Sequence, residues 1–494
     1  MIARLARVIS TLLVLIVLAP MAHADGPSFA LRVGKAMPVS DDLPWVIEHA
    51  VIIVRDGRIE SIGQDLEIPP DLTLIDMPDA TVMPGLVAAS SGLAGERTGP
   101  ESVSAAYRAA DSFDLYADFR TTLAHGVTTA HLNPGWRRLM SGQGAVVKLA
   151  GPAGARVLDE QADLTINVGP ATYNPAPLVN LLIPPSATGQ IEPSTPQRPD
   201  SRLGQYLALK EAIEKATTEQ DKYDEHMTAL AERWNDGARV RVQSQRADDL
   251  LTAISFLTSH KRKGYLVGGQ EAALVANEIR AARLPLVYTI DAGFDGMRDI
   301  GANPDALAPD IHDLAQLPGI PLALALPEDA PLREFRLAAT TALRAGLTPK
   351  QVVEAITRTP AEILGVSDRV GSLATGKDAD LLVLSGDPLA TSSHVLRVFV
   401  DGRLVYKPQH EATVVRAETI WLGPDDYLDK GSILVEDGKI TAVGRTVPHP
   451  PGATFVDAGE GSFVAPGFID SFGHLGLGGD DSALSPDLTL ARLV

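Results

Sequence analysis

Between Pro84 and residue 370 the chain alternates short apolar strands with amphipathic helices, and no other feature restricts its fold so much. Val127–Leu132, Gly144–Leu149, Val240–Gln243, Gly264–Val267, Leu286–Ile290 and Pro321–Leu326 read as buried strands. Phe113–His125, Leu203–Trp234, Ala247–His260, Glu271–Ala282, a stretch near Ile311–Leu317, Leu332–Ala345 and Pro349–Leu364 read as helices. Strands and helices in strict turn predict an α/β fold, a parallel (β/α)8 barrel. Pro152–Arg202 breaks the rhythm with many prolines, and reads as an excursion: a lid-like loop or a variable insertion.

Both flanks of this region read as β. Val51–Val54, Asp56-Gly57, Ile59 and Ile62 lie before it; Leu381–Leu384, Val395–Val400, Asp401-Gly402 and Leu404–Tyr406 lie after it. An Asp-Gly pair between apolar runs marks a tight hairpin. The simplest geometry puts the strands of residues 29–83 and 371–410 in one shared sheet beside a barrel of residues 84–370.

The opening then recurs. Glu436-Asp437-Gly438-Lys439-Ile440 follows Arg55-Asp56-Gly57-Arg58-Ile59 by 381 residues, and Pro466-Gly467-Phe468 follows Pro84-Gly85-Leu86 by 382. A period this long means a duplicated domain, not a solenoid. Residues 412–494 are read as the start of a second copy. They are too few to close an eight-stranded barrel, which takes ~200 residues. Either the chain is a piece of a longer one, the preferred reading, or this tail packs elsewhere.

Composition adds exclusions. The formal net charge of −19 argues against nucleic acid and anionic membranes as partners, because phosphates repel such a surface. There is no cysteine, hence no disulfide and no thiolate metal site. Arg4 and Arg7, the apolar run Val8–Leu18 and Ala22-His23-Ala24 have the layout of a cleaved signal peptide over residues 1–24. A membrane anchor is the competing reading, but the run is short for a span. The expectation is a periplasmic or secreted protein, free of the membrane after cleavage.

Several segments carry a family likeness: DGRIESIG, VMPGL, AHGVTTAHLNPG, SGQGAVVKL, RADDLLTA and, most specific, VGSLATGKDADLLVLSGDPLATSSHVLRVFVDGRLVY. With them the chain resembles the amidohydrolase superfamily, in its imidazolonepropionase-like branch, over residues 29–410 and again from 412. The resemblance implies a metal-dependent barrel with a composite β-sandwich. It also implies hydrolysis of non-peptide carbon–nitrogen bonds by a metal-bound water, with a divalent metal such as zinc as cofactor. An HxH pair, two later histidines and an aspartate hold the metal in that family. Here the HxH positions are Ser90 and Gly92, and the later histidine strands read Gln243-Ser244-Gln245 and Val267-Gly268-Gly269. Of the eleven histidines only His474, in the second copy, stands where the family requires one, and Phe472 replaces its partner.

Asp329, beside Glu328, is the best match to the family's proton-transfer aspartate and is the one candidate catalytic residue. Its structural alternative is a helix N-terminal acid before Pro331. Gln243 and Gln245 share a face and either bind a polar ligand or satisfy each other, the second being preferred. His131 reads as a hydrogen-bonded loop residue, His125 as a helix C-terminal residue, and Lys148 as a strand-end lysine. No metal or other cofactor is expected in the first barrel. Two functions remain: an exported amidohydrolase-type protein whose first barrel is inactive, or a pseudoenzyme lobe that binds a small polar amide-type molecule or packs against its own second barrel.

Overall fold

The computed structural model describes residues 26–95, 101–169, 172, 199, 201–218, 224–290, 317–408, 413–423, 426–436, 438–449 and 454–467. The proposed signal, the Ile311–Leu317 helix apart from Leu317, and the second-copy residues Phe472 and His474 lie outside them. The chain divides into two units, one reaching Lys407 and the other running from Pro408.

In the first unit β1 (Phe29–Ala36), β2 (Ile47–Arg55), β3 (Arg58–Gln64) and β4 (Thr73–Pro84) join β13 (Leu381–Leu384), β14 (Val395–Val400) and β15 (Arg403–Tyr406). They form one seven-stranded sheet, ordered β15-β14-β13-β4-β1-β2-β3. The shared sheet expected from the two flanks is therefore present. Both Asp-Gly pairs make the hairpins their chemistry dictates. Asp56 and Gly57 have φ of 50° and 77°, Asp401 and Gly402 have 49° and 70°, the left-handed pairs a two-residue turn needs. The sheet curls back on itself. Phe29 and Phe399 stack at 5.0 Å although three strand spacings, ~14 Å if flat, separate β1 from β14. Leu31, Val33, Ile59, Leu381 and Val383 fill the interior of the curl.

The second sheet is the barrel. It contains β5 (Leu86–Ala88), β6 (Val127–Leu132), β7 (Met140–Lys148), β8 (Val157–Asn167), β9 (Val240–Ser244), β10 (Gly264–Gly268), β11 (Leu286–Thr289) and β12 (Leu322–Ala325), in chain order around the wall. Val87, Ala89, Val146, Val267, Val287 and Ala323 pack inside, while Leu86, Ala88, Leu266 and Leu324 face the helices. This alternation is what a wall with two covered faces requires. The two edge strands do not hydrogen-bond along their length; the barrel is nearly closed.

Several expectations need correction. The wall is not wholly parallel, since β7 runs antiparallel to both β6 and β8. Only Asn133–Leu139 joins β6 to β7, and a parallel crossover needs about a dozen residues or more. Pro152–Arg202 is not one excursion, because its first third supplies β8. Phe113–His125 is helical only at Arg120–Leu123. Asp114 and Asp118 accept hydrogen bonds from the backbone of Tyr116 and Arg120 at 2.8 and 2.9 Å, and these local turns compete with the helix. Leu203–Trp234 is two helices, Arg202–Thr218 and Glu225–Asn235. Asp224 caps the second by accepting from the amides of His226 and Met227, each at 3.0 Å. The stretches 332–345 and 349–364 are likewise broken, the second into Pro349–Ala355 and Arg358–Leu364.

The second unit is a small sheet of β16 (Thr413–Gly423), β17 (Asp426–Glu436), β18 (Lys439–Gly444), β19 (Thr454–Asp457) and β20 (Phe463–Val464). Its pairing copies that of β1 to β4. Val54 faces Ile59 and Val435 faces Ile440, each beside a bulge at the same place. Lys35 and Ala36 face Thr81 and Val82; Thr419 and Ile420 face Phe463 and Val464.

Candidate functional site

The barrel interior carries two linked polar groups above its apolar floor. The first is centred on Arg241, whose side chain is wholly buried on β9. Its neighbours along the strand, Val240 and Val242, face the helices, so Arg241 and Gln243 face inward. The Arg241 Nη2 donates to Ser90 Oγ at 2.8 Å and to Glu328 Oε1 at 3.2 Å. Its Nη1 donates to Gln243 Oε1 at 3.0 Å. The same Glu328 oxygen accepts from Ser90 at 3.0 Å and from Asn133 at 3.1 Å. Residues at the ends of β5, β6 and β12 are thus drawn to one guanidinium on β9, across the seam where the edge strands fail to pair.

The second group is centred on Asp163 of β8, 1% exposed. The His131 Nε2 lies 2.8 Å from its Oδ2, Tyr265 donates to the same oxygen at 2.7 Å, and Thr165 donates to Oδ1 at 3.1 Å. Burial pushes the Asp163 carboxyl up, but the His131 ring, the Arg241 guanidinium and the Tyr265 hydroxyl outweigh it and hold it well below the usual range. Burial and the facing Asp163 carboxylate push the Tyr265 hydroxyl well up, so it serves as a donor.

A third cluster lies at the opposite end of the strands. Lys148, the last residue of β7, reaches Asp378, Asp380 and Asp401 at 2.8, 3.0 and 2.6 Å. Burial lowers its pKa, yet the three carboxylates reverse the effect and raise it. It is a strand-end lysine, as expected, but a fully buried one that ties the barrel to the seven-stranded sheet.

The residues singled out in the sequence fall unevenly. Ser90 is in the Arg241 group. Gln243 finds its partner in Arg241, so the preferred pairing of Gln243 with Gln245 does not occur; Gln245 Oε1 has no partner among the described residues. His131 is the last but one residue of a strand, not a loop residue, and binds Asp163. His125 bonds the carbonyl of Thr121 through Nδ1 at 2.8 Å, just past a helix end. Asp329 is exposed and does not enter the Arg241 group; the neighbouring Glu328 does. Asp329 instead lines a rim pocket of about 380 Å³ with Ser91, Gly92, Thr121, Thr122 and Glu328.

Sequence reasoning missed Arg241, Asp163 and Tyr265. Arg241 was within reach, because it shares the inward parity of Gln243 and is a charge set between valines. Asp163 was hidden inside the presumed loop.

A divalent metal does not fit this interior. Among the described residues no group of three or more His, Cys, Asp or Glu side chains is placed to hold a metal ion. A permanent cation already bonds Ser90 and Glu328. A Cβ on Gly92 would lie 2.3 Å from the carbonyl oxygen of Glu328, so no histidine fits there without moving backbone. Gly268 has a φ of +96°, and a Cβ on it would lie 2.6 Å from the Gln245 amide.

Known proteins agree with the architecture. The amidohydrolase family model matches residues 326–405. An imidazolonepropionase of Mycolicibacterium smegmatis is 41% identical over 69 residues, 14% of this chain and 17% of that protein. One of Salinispora arenicola is 43% identical over 61 residues, 12% of this chain and 15% of the relative. The matches thus span less than a fifth of either relative. An amidohydrolase structure from Thermotoga maritima superposes with a TM-score of 0.65 at 24% identity, covering 77% of this chain and all of that one. The fold is that of a barrel hydrolase with a flanking sheet. Over residues 326–405 the chain matches the amidohydrolase family model, and its fold is that of the Thermotoga maritima amidohydrolase structure.

Proposed function

We propose that the barrel of residues 84–370 is a catalytically silent member of its superfamily, with the Arg241 guanidinium standing in for the metal's charge. The observation that carries this is the bonding of a fully buried Arg241 to Ser90 and Glu328. A metal-dependent hydrolase generates its nucleophile on the ion. An interior that holds a fixed cation, with no metal-holding set of side chains among the described residues, offers no such nucleophile. Hydrolysis of carbon–nitrogen bonds, the superfamily's usual chemistry, is then expected of a second barrel, and the register shared by β1–β4 and β16–β20 supports a duplicated origin for one. The test is elemental analysis of the purified protein after dialysis, with turnover assays on cyclic amides and dipeptides. We expect well under one metal per chain and no turnover. One equivalent of zinc, iron or manganese, lost on substituting residues of this barrel, would refute the reading.

The rim pocket favours a second role, the binding of a small polar amide-type molecule. Ser91, Thr121, Thr122, Glu328 and Asp329 supply hydroxyls and carboxylates around a volume suited to a small ligand. Thermal-shift screening against cyclic amides and short peptides tests it, and a flat response leaves a scaffolding role, with the silent barrel packing against its own second one. The residue pattern of 1–24 supports export to the periplasm or medium. Sequencing the N-terminus of the mature protein would check this; a start at Met1 would refute it.

A further inference from the structure

The second unit exposes apolar side chains at the places where the first unit is covered. In the first unit the outer edge of β4 is taken by β13, with Thr81 facing Leu384 and Val82 facing Val383. Ile59 is sealed by the preceding segment: its amide donates to Lys377 O at 2.9 Å and its carbonyl accepts from the Gly376 amide at 2.8 Å. Ile59 and Val82 are 1% and 0% exposed. By strand register their counterparts are Ile440 and Val464, and that of Thr81 is Phe463. Ile440 is 64% exposed and Phe463 57%, while Val464 is half-buried. Among the described residues no strand pairs with the outer edge of β19 or β20.

The open edge carries Phe463, while Ile440 lies on β18 at the far side of the sheet, where in the first unit the segment before β13 covers Ile59. An open edge is a template for strand addition. Charged or proline residues that would blunt it are absent from Phe463–Val464 itself. We propose that this edge binds a polypeptide segment with the chemistry of residues 373–406: a glycine-containing approach, an acidic Asp-Ala-Asp step, a four-residue Leu/Val strand and an antiparallel return. The first unit shows how such a segment pairs with this sheet, its Leu381 and Val383 entering the curl and its backbone completing the ladder. The inference rests on strand register and exposure alone, and holds whether or not the barrel is silent.

The probe is a fluorescent peptide of residues 373–407, added to the full chain. The expected result is a saturable rise in anisotropy, with slowed amide exchange over residues 454–466. Phe463→Asp and Ile440→Asp should each weaken binding about tenfold or more, since each removes an anchor's burial. Both side chains are exposed, so the melting temperature should hold. A peptide carrying Leu381→Asp and Val383→Asp should not bind. Absence of binding, binding indifferent to Phe463→Asp, or protection appearing at residues 81–84 instead would each overturn the proposal. So would a concentration-dependent dimer abolished by Phe463→Asp, which would make the edge a contact between copies of this chain.

Discussion

At the scale of single residues the barrel interior balances formal charges among its own side chains. Arg241 faces Glu328, and Asp163 faces His131 and Tyr265. Removing one member of a buried pair strands the other, at about 3–5 kcal/mol. Arg241→Ala is therefore expected to cost about 3 kcal/mol in urea denaturation, the low end because Glu328 keeps Ser90 and Asn133. A loss below about 0.5 kcal/mol would mean the guanidinium is not integral to the barrel. Asp163 gives a pH signature. Its folded pKa is depressed, so its contribution is complete above the unfolded value of about 4 and is lost as pH falls toward the folded one. Asp163→Asn should flatten the acid limb of stability below about pH 4, measured by denaturation across pH. An unchanged limb would assign acid sensitivity elsewhere.

At the scale of elements the seam between the first and last barrel strands decides what the interior can hold. Gly92 lets the chain after β5 pass against the carbonyl of Glu328, and the contact leaves no room for a side chain. Gly92→Ala is expected to destabilise by about 1–3 kcal/mol, read as a fall in melting temperature. A neutral outcome would show that the seam yields easily. The same scale shows why parts of the fold were legible in the sequence. Leu381–Leu384 and Val395–Val400 were read to the residue, because each apolar run is bounded by turn chemistry. β8 is not legible in this way, because its first half, Val157–Gln161, carries Asp159, Glu160 and Gln161 and breaks the apolar run that Leu164 and Ile166 continue. Two helices read too long in the sequence, because Asp118 and Asp224 bond nearby backbone amides and favour a local turn. For the candidate site, the sequence alone shows that positions 90 and 92 are serine and glycine, neither of which carries an imidazole. The partners that Ser90 finds are not legible there, because Arg241, Glu328 and Asn133 come together only when the wall curls.

At the scale of the first unit as a whole, Lys148 joins the barrel to its flanking sheet. Lys148→Met takes the shared cation from Asp380 and Asp401, while Asp378 keeps Arg369 at 2.7 Å. Burial already pushes the Asp380 carboxyl up, so it is the one expected to take a proton in the variant. A loss of about 3–5 kcal/mol is expected, partly recovered by adding Asp380→Asn. The double variant being worse than the single would refute the charge argument. The partners of Lys148 also sit 230 residues or more beyond it in the chain. During synthesis the ammonium of β7 therefore leaves the ribosome long before any of its counter-ions. A nascent chain halted before Asp378 should stay open to protease, and one released past Asp401 should become resistant, so the barrel's completion is timed by the last strands to be translated.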